Sequence, residues 1–319
     1  MTRCLVTGGA GVIGSHITEA LVRRKIEVRV LHDLSTGFLE NISPLGGKVE
    51  FQKGDIRSLN DVKKAADGVD YIFHVAANRA VLRSVDDPLE TNDVNVNGLL
   101  NVLIAARDAK AKRVVFSSSS SVYGETKKFP LKEIEKPMPE SPYAAQKVMG
   151  EYYCRLFSRL YGLETVSLRY FNVFGPRQNP ESKYSAVIPI FIDDLLKGRT
   201  PEIHWDGKQS RDFSYVDNVV YGNLCAMTAK EIPSGEIFNI ACHEEFSVLD
   251  IFNELKKILK KPEAEAKFLP KRAGDVRRTF ADITKAKRYL KFKVQTRFKE
   301  GLRKTVAWFL ESKVLERHQ

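Results

Sequence analysis

The chain has 319 residues, 43% hydrophobic and 29% charged, which is enough to bury a full core in one large or two coupled domains. Four widely separated cysteines, Cys4, Cys154, Cys225 and Cys242, exclude a disulfide-dense scaffold and offer no paired spacing for a metal. Much of the net charge of +11 lies late, in Lys256-Lys257, Lys260-Lys261, Lys271-Arg272, Arg277-Arg278 and residues 285 to 293; without an aromatic-interleaved or zinc-type motif beside it, it reads as solvated helix surface rather than a nucleic-acid site, with a few charges to spare for an anionic ligand.

The first element is a short apolar strand, Cys4-Leu5-Val6-Thr7, which Met1 to Arg3 enter at once without a signal-peptide pattern. No apolar run approaches the ~20 residues that cross a bilayer, so a reduced, cytoplasmic setting off the membrane is expected. Gly8-Gly9-Ala10-Gly11-Val12-Ile13-Gly14 follows, and Ser15 to Arg24 then carries apolar residues at helical spacing. Strand, glycine turn and helix form the context in which backbone N-H groups and a helix N-terminus receive a pyrophosphate. A second strand, Val28 to Leu31, ends at His32-Asp33 and places a carboxylate where a ribose hydroxyl needs an acceptor.

Further strands are predicted over residues 48 to 52, 70 to 75, 112 to 118 and 164 to 170, with helices beginning near Gly14, Leu59, Glu90 and Pro142. This alternation predicts an α/β fold, a Rossmann-type doubly wound parallel sheet. The run Arg113-Val114-Val115-Phe116 breaks into Ser117 to Ser121, as a buried parallel strand does where its carboxyl end meets a ligand crevice. In Ser141-Pro142-Tyr143-Ala144-Ala145-Gln146-Lys147 a tyrosine and a lysine stand four apart on one helix face. An ammonium beside the phenol favours the phenolate and would bring a pKa of about 10 toward working pH. Beyond Gly175-Pro176 the elements shorten and gain charge, which suits a smaller second domain.

Taken together, Thr7 to Gly14, Ser119, Tyr143 and Lys147 resemble the cofactor and catalytic motifs of the extended short-chain dehydrogenase/reductase family, over residues 1 to about 310. Arg169-Tyr170-Phe171-Asn172-Val173-Phe174-Gly175-Pro176-Arg177, Ala186-Val187-Ile188-Pro189, Ser210-Arg211-Asp212-Phe213 and Arg272-Ala273-Gly274-Asp275 are similar to its nucleotide-sugar branch, in particular the UDP-hexose 4-epimerases that accept N-acetylated sugars. The resemblance implies an NAD-binding Rossmann domain over 1–177, to which part of 213–240 returns, and a smaller nucleotide-sugar-binding α/β domain over 178–319.

On the cofactor side the resemblance implies a pyrophosphate turn of Gly8, Gly11, Val12, Ile13 and Gly14. Asp33, Ser35 and Thr36 would lie at the adenosine ribose, Asp55 and Ile56 at adenine, Ala76, Ala77 and Arg79 along the crevice, and Phe171 near the nicotinamide. Because His32 stands where the family usually has its acid, NADP stays open beside NAD. Ser119, Tyr143 and Lys147 would be catalytic, with Lys147 lowering the phenol pKa and bonding the cofactor ribose. Asn95 and Asn97 would pack below the site.

For the substrate, the resemblance implies contacts from Ser119, Ser120 and Asn172, diphosphate donors in Arg211 and Arg272, a nucleoside contact in Asp275, and Ala186 and Val187 against uracil. Thr279 replaces a bulky tyrosine and leaves room for a 2-acetamido group. The activity implied is 4-epimerisation of UDP-glucose/UDP-galactose and UDP-GlcNAc/UDP-GalNAc by transient oxidation to a 4-keto sugar, with no metal, in a homodimer. Arg177 could instead face a sugar carboxylate, which keeps a UDP-glucuronic acid or UDP-GlcNAc-uronic acid 4-epimerase open, and a nucleotide-sugar oxidoreductase is the other alternative. Ser120-Ser121, in place of an Asp-Glu pair, argues against a dehydratase.

Overall fold

A computed structural model of the chain describes residues 2–79, 81–181, 185–230, 232–271 and 276–316. The first half alternates β1 (Arg3–Thr7), α1 (Val12–Arg23), β2 (Glu27–His32), β3 (Val49–Lys53), α2 (Leu59–Ala66), β4 (Tyr71–His74), α3 (Val81–Asp86), α4 (Pro88–Asn92), α5 (Gly98–Asp108), β5 (Arg113–Ser119), α6 (Pro142–Tyr161) and β6 (Glu164–Tyr170). The helix predicted near Glu90 is α4, which runs through a π turn over Asp93–Asn97 into α5. The second half is built from β7 (Val173–Phe174), α7 (Val187–Lys197), β8 (Glu202–His204), β9 (Ser210–Asp212), β10 (Ser214–Tyr215), α8 (Val216–Thr228), β11 (Glu236–Ile240), β12 (Glu245–Ser247), α9 (Val248–Ile258), β13 (Lys267–Leu269), β14 (Arg278–Thr279) and α10 (Phe298–Glu316).

Seven strands form one sheet in the order β11-β6-β5-β4-β1-β2-β3, and every pairing in it is parallel. The order reverses between β1 and β4, which creates the crevice at the strands' carboxyl ends where ligands of such sheets lie. Two hydrophobic layers cover the faces. Ile17 and Leu21 of α1 pack with Val219 and Leu224 of α8 on one side, and Val62 of α2, Leu103 of α5 and Phe157 of α6 close the other. Burial on both faces explains why β5 reads as the unbroken run Val114-Val115-Phe116. The short strands of the second half pair as β7 with β10, β12-β9-β14, and β8 with β13. Among the described residues no helix is long and apolar enough to cross a membrane, and the four cysteines are free thiols.

Helix α6 is the element that positions the chemistry. Ser141 caps it by accepting the Ala144 N-H, Pro142 fills the first turn where a missing N-H costs nothing, and Gly162 ends it in the left-handed region. It crosses β5 at Gly150, where a Cβ would stand 2.5 Å from Phe116 Cζ. Gly150→Ala is therefore expected to destabilise the protein by about 1–3 kcal/mol through overpacking. The check is a urea unfolding curve with a lower midpoint and unchanged slope; an unmoved midpoint would mean that α6 does not need this close approach.

Candidate active site

The β1–α1 turn sits at the reversal of strand order. Gly8 has φ +71, and a Cβ there would lie 2.7 Å from the Ala76 nitrogen, so only glycine lets the ends of β1 and β4 come this close. Gly11 caps α1, whose first turn holds no acidic side chain, so the N-H end of the helix faces the crevice with its favourable field for an anion undiminished. Asp33, just past β2, accepts the Ser35 N-H at 3.0 Å and the Ser35 hydroxyl at 2.9 Å. Together with Thr36, Asp55, Ile56, Ala76, Ala77 and Arg79, these residues wall a cleft of about 170 Å³ that ends at Tyr143 and Lys147.

Two expectations for this part change. Phe171 is fully buried behind the crevice and packs against Tyr123, so it is core. His32 is 6% exposed; its Nδ1 accepts the Leu34 N-H at 2.7 Å and its Nε2 fills the space beside Gly37. The imidazole is therefore a packing element of the turn, and the ground for a 2′-phosphate site at this position is gone.

At the inner end of the cleft, Lys147 is 4% exposed and its Nζ donates to the Ser117 carbonyl at 2.8 Å. The ammonium lies 4.9 Å from the Phe116 ring centroid and 5.7 Å from that of Tyr143. Burial pushes Lys147 down to about 8, opposed by Cys154 and Glu151 farther along α6. Burial likewise raises Tyr143, and the groups that oppose it are a hydrogen bond with Ser119 and the charge of Arg79. The groups that lower Tyr143 are thus Ser119 and Arg79, while the Lys147 ammonium, 5.7 Å from the phenol ring, is engaged by the Ser117 carbonyl. Ser119 Oγ accepts the Ser121 N-H at 3.2 Å and the Ser121 hydroxyl at 3.0 Å, which leaves its own proton for exchange with Tyr143. Ser118 is committed elsewhere, donating to Glu151 at 2.6 Å.

A second cavity of about 390 Å³ shares Arg79, Ser118, Tyr143 and Tyr170 with the first and is walled by Ser119, Ser120, Asn172, Arg211 and Thr279. It opens through Asn172, Ala186 and Arg211 into a third, of about 560 Å³, whose wall includes Val187, Phe174, Phe213 and Val248. Asn172 Nδ2 donates to Thr279 Oγ1 at 3.3 Å. Gln209 Oε1 and His204 Nε2, both on the third cavity's wall, are buried with no hydrogen-bond partner.

Arg177 does not join this cleft. It lies at φ +68 with its guanidinium 2.6 Å from Glu19 of α1 and 3.1 Å from Ser15 Oγ, which corrects its reading as a sugar-carboxylate ligand. Asn95 is buried and ties Asn78 to Gln146, whereas Asn97 is exposed and bonds Asp93. Arg272 and Asp275 lie outside the described residues. Sequence reasoning passed over Tyr170, Ser117, Asn78 and Gln209; only Tyr170 carried a signal, as the last residue of a strand ending at the crevice.

Residues 4–241 match the NAD dependent epimerase/dehydratase family. A putative UDP-glucose 4-epimerase of Methanocaldococcus jannaschii is 41% identical over 306 residues, which is 95% of this chain and 97% of that protein. The solved UDP-N-acetylglucosamine 4-epimerase of Methanobrevibacter ruminantium M1, in complex with UDP-N-acetylmuramic acid, is 40% identical with a TM-score of 0.93, covering 98% of this chain and 99% of that one. The UDP-glucose 4-epimerase of Thermus thermophilus, complexed with NAD, is 34% identical with a TM-score of 0.89 over 97% and 99%.

The geometry of Arg177 generates a test. Burial works against ionising Glu19, but the hydrogen bond and charge of Arg177, with Arg23 and His16, outweigh it and lower its pKa. That stability is complete above the unfolded carboxylate value of about 4.3 and is lost as pH falls through the lower folded value. Arg177→Met should cost about 1–2 kcal/mol at neutral pH and progressively less in acid, with ligand binding in the cleft unchanged. Urea unfolding at several pH values, with calorimetric titration of a carboxylated sugar nucleotide, checks both; weaker binding at unchanged stability would restore the sugar-carboxylate role.

Proposed function

The chain belongs to the NAD dependent epimerase/dehydratase family, and we propose that its three joined cavities carry out 4-epimerisation of UDP-hexoses, with UDP-GlcNAc/UDP-GalNAc accepted beside UDP-glucose/UDP-galactose. The observation that carries this reading is the position of Tyr143 at the junction of the dinucleotide cleft with the middle cavity, on whose wall Ser119 stands. A proton acceptor there serves a sugar hydroxyl and a cofactor at once. The enzyme is an NAD-dependent isomerase.

The residues present fit the dinucleotide: Gly8 leaves backbone space that a Cβ would fill, α1 points its N-terminus into the crevice, and Asp33 offers a carboxylate past β2. When bound, NAD supplies a reversible hydride store through which C4 passes to a 4-keto sugar and back. In our reading Tyr143 removes the 4-hydroxyl proton, Ser119 holds that hydroxyl and relays its proton, and Tyr143 returns a proton to the oxygen after inversion. Lys147 contributes a fixed positive charge beside the ribose and orders the strand end through the Ser117 carbonyl. Arg211 would hold the diphosphate while the sugar turns over in the middle cavity, and Ala186 and Val187 would face uracil, with Arg272 and Asp275 assigned by motif alone.

Thr279, 6% exposed and held by Asn172, walls the sugar cavity with a small side chain, which supports entry of a 2-acetamido group. We assign residues 1–177 and the returning part of 213–240 to the cofactor, and 178–319 to the nucleotide sugar. Exposed Met149, Tyr152, Leu156 and Leu160 on α6 support a homodimer through α5 and α6, and the free thiols suit a cytoplasmic location.

Proton NMR of the purified protein with catalytic NAD should show the 4-epimer of UDP-glucose and of UDP-N-acetylglucosamine; a requirement for stoichiometric NAD(P) would instead make the protein a net oxidoreductase. Tyr143→Phe should reduce kcat by about 10³-fold with cofactor still bound by chromatographic assay. Thr279→Tyr should remove activity on the acetamido sugar selectively, and equal loss on both sugars would refute the gate.

A further inference from the structure

The buried side of α6 carries an ion pair outside the reacting atoms. Glu151 follows Lys147 by one helical turn, as Lys147 follows Tyr143. Glu151 Oε1 accepts the Ser118 hydroxyl at 2.6 Å and Arg169 Nε-H at 2.7 Å, and Oε2 accepts Arg169 Nη2-H at 2.7 Å. The two side chains are 4% and 2% exposed. Arg169, on β6, stands opposite Ser118 in the β5–β6 register, and its guanidinium covers the Tyr123 ring at 4.6 Å. One carboxylate thus joins α6, β5 and β6 at a single level, between the Ser117 carbonyl that receives Lys147 and the Ser119 hydroxyl that meets Tyr143.

Desolvating a carboxylate and a guanidinium costs several kcal/mol per ion, and apolar side chains of equal volume often stabilise a fold as well or better. Cohesion alone therefore does not account for placing this pair beneath the strand end. We infer that Glu151 and Arg169 are positioning residues of the epimerase centre, fixing Ser117 to Ser119 against α6 while Glu151 supplies the negative charge that balances the buried Lys147 ammonium. The inference rests on the reading of the cleft as a 4-epimerase centre.

The groups that face Lys147 leave Glu151 as its counter-ion. Along α6 these are Tyr143, raised by burial, Glu151, and Cys154, which burial raises to about 12 and so keeps as a thiol. On β4, burial and the Lys147 charge lower His74 to about 3, so it is neutral. On β5, Lys147 meets the Ser117 carbonyl and the Phe116 ring, neither of which ionises, and Arg169 of β6 lies on the far side of Glu151. Removing the Glu151 charge should therefore lower the Lys147 pKa and bring its deprotonation to a lower pH.

The test uses the NAD-loaded full chain, in parent form, as Glu151→Gln, and as the double variant Glu151→Met/Arg169→Met, which removes both charges and keeps an apolar filling should the single variant fail to fold. Steady-state turnover of UDP-glucose and lysine-methylene NMR are followed across the alkaline range. The expected result is kcat per folded enzyme lower by about 10²-fold from misplacement of the reacting groups, KM within about two-fold, and an alkaline limb and Lys147 titration both moved down by about one pH unit. Parent-like kcat and titration in a folded variant would overturn the inference. A parent that turns over no UDP-sugar would overturn the epimerase reading instead, while the Lys147 titration would still decide the role of Glu151.

Discussion

The hydrogen bond from the buried Lys147 ammonium to the Ser117 carbonyl is the contact on which the cleft depends. An ammonium withdrawn from water must be paired or lose its proton. Here it finds one carbonyl, the face of Phe116 and, one turn along α6, a carboxylate. Satisfying those partners fixes how far α6 slides along β5. Tyr143, one turn earlier, then lies over Ser119, two residues after Ser117 and on the same face of the strand. Gly150 permits the approach, since any Cβ there would meet the Phe116 ring that also flanks the ammonium.

On the dinucleotide side, backbone hydrogen bonds join the strand ends. The Gly8 N-H reaches Leu31 of β2, and the Ala76 N-H reaches Thr7 of β1, so the ends of three strands are tied together at the switch point. Thr7 Oγ1 also bonds His74 Nδ1 at 2.8 Å inside the sheet. A crevice made of strand ends is ready before a ligand arrives, which suits a cofactor that stays bound through repeated turnover.

Legibility in the sequence followed the range of the interactions. Strands β1 to β6 could be read because parallel strands buried on both faces leave continuous apolar runs, and the glycine turn and the Tyr143–Lys147 spacing are local constraints. The fate of an individual side chain was legible only where one partner was possible. Arg177 had a sugar carboxylate or Glu19 to choose from, 158 residues away in sequence, and nothing in the chain's local pattern favours the latter. Lys147 could be placed near the phenol by spacing, but a backbone carbonyl as competing acceptor carries no residue-type signal. His32 likewise looked like a charge at the ribose and proved to be a filler beside Gly37. The two- and three-residue strands of the second half are too short for a period to show.

The substrate side is organised differently, by a buried carboxylate gathering distant backbone. Asp212 of β9 accepts N-H groups from Cys242 at 3.0 Å, His243 at 3.1 Å and Ala281 at 3.4 Å, which draws β14 and the segment after β11 onto the strand that carries Arg211. Asn172 then bridges from the end of β6 to Thr279. The far wall of the middle cavity is thus assembled from β9, β14 and the residue after β6, while Ser119 and Tyr143 reach it from β5 and α6. The two sets meet along the β5–β6 pairing and across the cavity, whereas β14 pairs with β9, so a change of one side chain on β14 alters the middle cavity's wall at a distance from the strand that carries Ser119.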